Sequence, residues 1–189
     1  MESLTTLPAR LRAARAARGL TLDQLADAAG VGRATISKIE RGDASPTAAI
    51  LARIAAGLGV SVASLFSEKS DATDAPPLAR AADQTAWTDP ESGYVRRNVS
   101  PPAAAGAAEI VDVTFPPGRR VLLDNPAGWH GLAQQVWVLE GAIEITAGGE
   151  TTRLAAGDCL FLRLDRPVAF HNPGETPARY AVVLSRLPA

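Results

Sequence analysis

Between Thr21 and Gly42 the sequence spells two short amphipathic helices joined by a tight, glycine-containing turn, and this constrains the chain more than any other feature. Leu22, Leu25, Ala26 and Ala29 recur at helical spacing, and Gly30 follows as a stop. Val31 and Gly32 form the turn. A second helix is expected from Arg33 to Glu40, with Ile36 and Ile39 inward, closed by Arg41-Gly42. Thr21-Leu-Asp-Gln24 fits a capping box, in which the Thr21 oxygen accepts from the Gln24 backbone and the Gln24 side chain reaches back. Two helices so joined, inside a larger helical unit, present the second one to the major groove of duplex DNA.

The flanks extend that unit. Leu7, Leu11, Ala14 and Arg18 follow helical spacing up to Gly19. Ser45-Pro46 predicts the start of a fourth helix with Pro46 at its first position, where a missing N–H costs nothing. Ile50, Leu51, Ile54 and Leu58 supply its buried face, Gly57 and Gly59 break it, and Ser61 to Phe66 are expected to form a short fifth helix. Over residues 7–66, and above all in GVGRATISKIERG and LGVSVASLF, the chain resembles the lambda-repressor/Cro-like (XRE) helix-turn-helix family.

The mechanics of such a unit single out specific side chains. Arg33, Ala34 and Thr35 open the recognition helix and would point at base edges, with Lys38 one turn on. Arg33 suits a bidentate contact to guanine, Ala34 or the Thr35 methyl suits a thymine methyl, and Ser37 reaches toward the groove edge. Arg15, Thr21 and Arg41 are candidate phosphate contacts, which fix register without reading sequence. The resemblance supports Thr21 and Arg41 in that role. The plain alternative makes Arg33 and Lys38 solvated helix-face charges, and the surrounding motif weighs against it. Gly32 stands where many family members carry a Ser or Thr cap, so one phosphate-binding hydroxyl is absent. One such head buries little DNA. Two heads on a palindromic operator, about 34 Å apart, solve the affinity problem, so a homodimer is expected.

Charge agrees in direction. Residues 1–66 carry eight Lys/Arg against five Asp/Glu, whereas residues 67–189 carry eleven against fifteen. A basic head on an acidic body fits nucleic-acid binding by the head. Arginine outnumbers lysine 17 to 2, a bias that looks bacterial. A single cysteine, Cys159, excludes an intrachain disulfide and any zinc site built from several cysteines. The N-terminus does not read as a secretory signal, and no apolar run approaches the ~18 residues of a membrane span. The expectation is a cytoplasmic protein with no membrane partner.

Residues 67–80, polar with a Pro-Pro pair, read as an interdomain linker. From about residue 81 the texture changes to short alternating apolar runs between Gly and Pro. EIVDVTF, QQVWVLEG, AIEITAGG, ETTRLAAGD, CLFLR and ARYAVVLSRL predict an antiparallel sandwich or barrel, with Gly148-Gly149 as a hairpin turn and residues 99–108 as a loop. VLEG, GGE, AAGD and HNPGETPARY, in that order, make residues 110–185 resemble the cupin family, which implies a jelly-roll β-barrel. An XRE head followed by a cupin is a bacterial regulator architecture.

Many cupins hold a divalent metal through two histidines and a glutamate in one motif and a third histidine in another. Laid on this chain, those positions fall at Gly128, His130, Gln134 and Val168, with Asn172 matching the end of the second motif. Gly128 and Val168 donate nothing and Gln134 is a weak neutral ligand, so no metal site and no cofactor are expected. Strand alternation sends His171 to the face opposite Val168. What remains is a cavity with His130, Gln134, Val168, Phe161 and Phe170 as candidate effector-binding groups, set against the blander reading that its own side chains fill it. Trp129 and Trp137 are read as core or dimer interface before ligand stacking, and Cys159 as a small buried residue.

The layout expected is thus a five-helix head (1–66), a linker (67–80) and a β-barrel sensor and dimerisation domain (81–189). Its function would be that of a sequence-specific transcriptional regulator, without catalysis, answering to a small-molecule effector. The competing readings are a metal-dependent cupin enzyme with an accessory head, and a constitutive DNA-binding dimer with the body as scaffold.

Overall fold

A computed structural model describes residues 7–66, 75–104, 108–124 and 131–187. The head opens with α1 (Leu7–Ala16), α2 (Leu22–Ala29) and α3 (Arg33–Arg41), followed by α4 (Ala48–Gly57). The capping box at Thr21 forms, with Gln24 N donating to Thr21 Oγ1 at 3.1 Å and Thr21 N to Gln24 Oε1 at 2.9 Å. Gly30 and Gly42 end their helices in the left-handed conformation, which costs a glycine nothing. Leu11, Leu25, Ile36, Ile39, Leu51 and Ile54 fill the head's core.

Two expectations for the head need correction. α4 starts later than proline chemistry suggested: Thr47 is its N-cap, accepting from Ile50 N, and Pro46 is buried just ahead of it. Ser61–Phe66 is not a fifth α-helix but holds a single 3-10 turn, Ala63–Leu65. The segment is too short for a stable α-helical turn, and Ser61 Oγ caps the start of the 3-10 turn by accepting from Ser64 N at 3.0 Å. Gly57 also has another reason than helix breaking. It ends α4 with helical geometry, and a Cβ there would lie 3.0 Å from the Ala29 backbone, so glycine lets α4 approach α2.

Among the described residues the body has ten strands: β1 (Ala86–Thr88), β2 (Val95–Asn98), β3 (Glu109–Phe115), β4 (Arg120–Leu123), β5 (Leu132–Glu140), β6 (Ala142–Ala147), β7 (Glu150–Ala155), β8 (Cys159–Arg163), β9 (Val168–His171) and β10 (Ala178–Arg186). They form a six-stranded sheet, β1-β2-β3-β10-β5-β8, and a four-stranded sheet, β4-β9-β6-β7, paired antiparallel throughout. Among the described residues these are two facing sheets and not a closed barrel, which corrects the barrel expectation. The Gly148-Gly149 hairpin forms with φ of 59° and 87°, the paired positive values of a tight turn matched to strand twist.

The space between the sheets is filled by alternate residues of each strand. Val111, Val113 and Phe115 of β3, Val136 and Val138 of β5, Ile143 and Ile145 of β6, and Tyr180 and Val182 of β10 are buried there. A file of aromatic rings crosses this core, from Phe66 in the head through Trp87, Tyr94, Phe115 and Tyr180 to Phe170. Successive centroids lie 5.8–6.4 Å apart, and the last pair stacks face to face.

The head is seated on the body. Asp89, buried in the β1–β2 loop, accepts from Ala48 N at the start of α4 at 3.0 Å. Arg53 of α4 pairs with Asp124 just after β4, and Ser61 Oγ donates to Glu109 Oε2 at 2.5 Å.

Candidate functional site

The outer face of α3 is the first candidate site. Arg33, Ala34, Lys38 and Arg41 are exposed along it, with Thr35 and Ser37 half-buried between them. Arg33 Nε meets Asp23 at 3.0 Å and Arg41 Nε meets Asp43 at 2.7 Å. Arg41 also donates to Ser37 Oγ. These pairs are solvent-exposed, so each is worth little and exchanges readily for a phosphate or a base edge. Thr21 is exposed beside them at the start of α2.

Arg15 does not stand with this group. Its guanidinium makes a bidentate pair with Glu40 at 2.7 Å on both arms and donates to the Leu20 carbonyl at 2.9 Å. The hydrogen bond to Glu40 raises its pKa against the opposing effect of burial. Arg15 therefore braces α1 against α3, and the spacing that made it a phosphate candidate could not reveal Glu40 as its partner.

The second candidate site is the interior of the body where it meets the head. Two adjoining cavities of about 30 and 20 Å³ share Tyr94, Arg96, Leu123 and Gln134 in their walls. The first is roofed by Ala48, Leu51 and Val62 of the head; the second is lined by Phe170 and Tyr180. Gln134 is 6% exposed and its Nε2 has no hydrogen-bond partner among the described residues. Phe170 stacks on Tyr180 at 5.9 Å, and Val168 is buried close by in sequence on the same strand. His130, Gly128 and Trp129 lie outside the described residues.

Phe161 does not belong to this interior. On β8 the pleat turns Leu160 and Leu162 toward the core and leaves Phe161 and Cys159 on the outer face. The reading of Cys159 as buried is likewise corrected: its thiol is exposed, opposite Trp137. Trp137 and Phe161 are 50% and 53% exposed, and with Ile110 they lie on the outer side of the six-stranded sheet.

Arg96 went unnoticed in the sequence. It sits on β2 in VRRN, where neither the four-residue length nor the charge marks a core strand, and only pairing with β3 separates inward Arg96 from outward Arg97. Arg96 is 9% exposed with no ion pair among the described residues. It lies in hydrogen-bonding reach of the Tyr94 hydroxyl, whose pKa burial raises and Arg96 partly lowers again. Tyr180 is pushed well above the ordinary tyrosine value by burial and by neighbouring Tyr94, with Arg96 opposing.

The metal-motif positions within the described residues supply an amide, Gln134, and a hydrocarbon, Val168. Asn172, at the end of that motif, is structural: its Nδ2 donates to the carbonyls of Phe115 and Thr176 at 3.0 and 2.9 Å. His171 faces away from the core and meets Glu144 at 3.1 Å. No group of three or more metal-ligating side chains occurs among the described residues, and no helix there is long and apolar enough to cross a membrane.

Comparison with known proteins bears on both halves. Residues 11–65 match the helix-turn-helix family model and residues 111–184 the cupin domain model. The chain is 27% identical over 181 residues to the HTH-type transcriptional regulator SutR of Escherichia coli K12, covering 95% of each. A crystal structure of an HTH_3 family transcriptional regulator from Vibrio cholerae superposes with a TM-score of 0.76 at 26% identity, covering 98% of this chain and 97% of that one. Iron(II)-bound HppE shares the fold at 21% identity, with a TM-score of 0.51 over 96% of this chain and 98% of its own. Helix-turn-helix head and cupin body together place this chain among the XRE-type transcriptional regulators that carry a C-terminal cupin domain.

Proposed function

We propose that the protein is a homodimeric, sequence-specific DNA-binding regulator whose body takes up a small-molecule effector and thereby adjusts the two heads. We divide it into a DNA-binding unit over 1–66, a linker over 67–80 and a sensor and dimerisation unit over 81–189. The observation that carries the reading is the open outer face of α3, where Arg33, Ala34 and Lys38 are exposed and engaged only in weak surface pairs. Arg33, Ala34 and Thr35 read base edges, with Lys38 one turn on, and Ser37 reaches the groove edge; Thr21 and Arg41 contact the backbone.

The effector enters the interior where head and body meet, with Gln134, Phe170 and Val168 as body-side groups and His130 as a further candidate. Filling a space roofed by α4 changes how the head sits, and a ligand with unequal affinity for the two seatings shifts DNA affinity by that inequality. The second copy docks on the outer side of the six-stranded sheet, where Ile110, Trp137 and Phe161 form an exposed apolar patch. A twofold axis there pairs the two heads with a palindrome.

Selection of binding sites from a random duplex library tests the reading. It predicts an inverted repeat with half-site centres one helical turn, or a multiple of it, apart. A library that yields no enriched sequence at about 0.15 M salt contradicts it.

The enzyme reading draws on the likeness to HppE, which at this identity extends to the fold alone. Stoichiometric iron, manganese or zinc in the purified protein would reopen it.

A further inference from the structure

Three residues that line the cavity under α4 each carry a buried N–H without a partner among the described residues: Trp87 Nε1, Arg96 Nε and Gln134 Nε2. One of them belongs to a guanidinium that is nine-tenths buried and makes no ion pair with a carboxylate among the described residues. Buried polar groups are almost always satisfied and buried charges almost always paired, so a cluster of this kind asks for a partner. Beyond the Tyr94 hydroxyl in reach of Arg96, it lacks acceptor oxygen and a negative charge.

The surroundings narrow the class. Arg96 brings a single positive charge, and the rest of the wall is apolar or phenolic: Leu51, Leu123, Leu132 and Leu184, with Tyr94 and Tyr180. A dianion here would keep one charge uncompensated in a poorly polar interior, at high desolvation cost. A carboxylate matches the charge, and its two oxygens fit the parallel donors of a guanidinium. The small volumes, about 30 and 20 Å³, suit a compact molecule, since a single water needs roughly 10–15 Å³.

We propose that this interior is a binding site for a small monocarboxylate, held by the Arg96 guanidinium and the Gln134 amide, with its short apolar part against the leucines under α4. The inference rests on the effector reading above and names the class of molecule that reading left open. Because Ala48, Leu51 and Val62 form the roof, a tail longer than the cavity allows must displace the head. The site thus discriminates by length as well as by charge.

The test is a thermal-shift and calorimetric titration of the full chain in Tris chloride at constant ionic strength. The probes are acetate and propionate, their neutral isosteres acetamide and propionamide, and the dianionic arms sulfate and phosphate. The expected result is a saturable rise in melting temperature with the carboxylates alone. That rise disappears in Arg96→Met, and affinity falls tenfold or more in Arg96→Lys, which keeps the charge and loses the fork. If Arg96→Met does not fold, Arg96→Lys and the ¹⁵N-detected Arg96 Nε–H resonance, expected to move on acetate addition, decide the matter. Equal shifts with acid and amide, shifts with sulfate or phosphate alone, no shift with any probe, or an unaltered shift in the Arg96 variants overturns the proposal. Repeating the titration with duplex DNA separates the two readings. A carboxylate that binds through Arg96 without changing DNA affinity supports the site and removes the coupling. A neutral metabolite that binds in place of the acids and does change DNA affinity overturns the site and leaves the coupling.

Discussion

The carboxylate of Asp89 caps the helix that roofs the interior: its Oδ1 accepts from Ala48 N at 3.0 Å, while Oδ2 accepts from Ser92 N at 3.0 Å and from the Ser92 hydroxyl. The loop that holds Asp89 runs directly into Tyr94 and Arg96. One buried side chain therefore ties the N-terminus of α4 to the strand carrying the interior cation. An anion at a helix N-terminus is favoured by the unsatisfied N–H groups there.

Replacing Asp89 with Ala leaves the Ala48 and Ser92 N–H groups unmet in a buried position. The expected cost is about 2 kcal/mol, typical of a hydrogen-bonded charged group, seen as a lower midpoint in urea unfolding with an unchanged slope. An unaltered midpoint would show that the head is not held through this contact.

Arg15→Ala separates a brace from a phosphate contact. Because Arg15 and Glu40 are paired and largely shielded, the loss should destabilise the head by about 2 kcal/mol. The slope of log affinity against log salt should stay where it is, whereas losing a true phosphate contact lowers it by roughly 0.9. Arg41→Ala serves as the comparison and should lower that slope.

Asp112 gives the body a defined acid response. Burial pushes its carboxyl up, but hydrogen bonds from Arg179 and Arg97 outweigh this and hold it below the usual carboxylate range. The unfolded chain therefore takes up the proton at higher pH than the folded one. The stabilisation is full above about pH 4 and fades as the pH falls below that. Melting curves between pH 5 and about 2.5 should fall less steeply in Asp112→Asn than in the parent; parallel curves contradict this assignment.

Phe161→Asp tests the proposed dimer face. A charge placed in an apolar interface opposes association, so light scattering should show the mass of one chain where the parent shows two, with the melting of the body little altered. A variant that stays dimeric moves the interface elsewhere. The Cys159 thiol, exposed in the single chain, offers a second readout: it should react faster with a thiol reagent in the variant.

How much of this could be read in the sequence follows from element length and from what decides each residue's role. The helices α1, α2 and α3 carry periodic leucine, alanine and isoleucine with glycine stops, so local chemistry marks them. Strands such as β3, β5 and β10 are long enough for alternation to show. β1, β2, β4 and β9 have three or four residues each, too few for a period, and their burial comes from partners distant in the chain. The interior site suffers from the same limit. Gln134 was found by motif spacing, whereas Arg96, Tyr94 and Tyr180 are brought together only by sheet pairing. For Phe161 and Cys159 hydrophobic character does not mean burial, because on an edge strand the pleat alone decides the face. Arg15 looked free because its partner is 25 residues away.

The central claim is that the helix beginning at Arg33 reads duplex DNA. Its most direct test is competition, at about 0.15 M salt, between a duplex obtained by site selection and a scrambled duplex of equal composition, for the parent and for Arg33→Ala. The account predicts at least a thousandfold preference in the parent, reduced in the variant by roughly 5- to 150-fold, the equivalent of one lost bidentate base contact. Equal binding of both duplexes by the parent, or an undiminished preference in the variant, would contradict it.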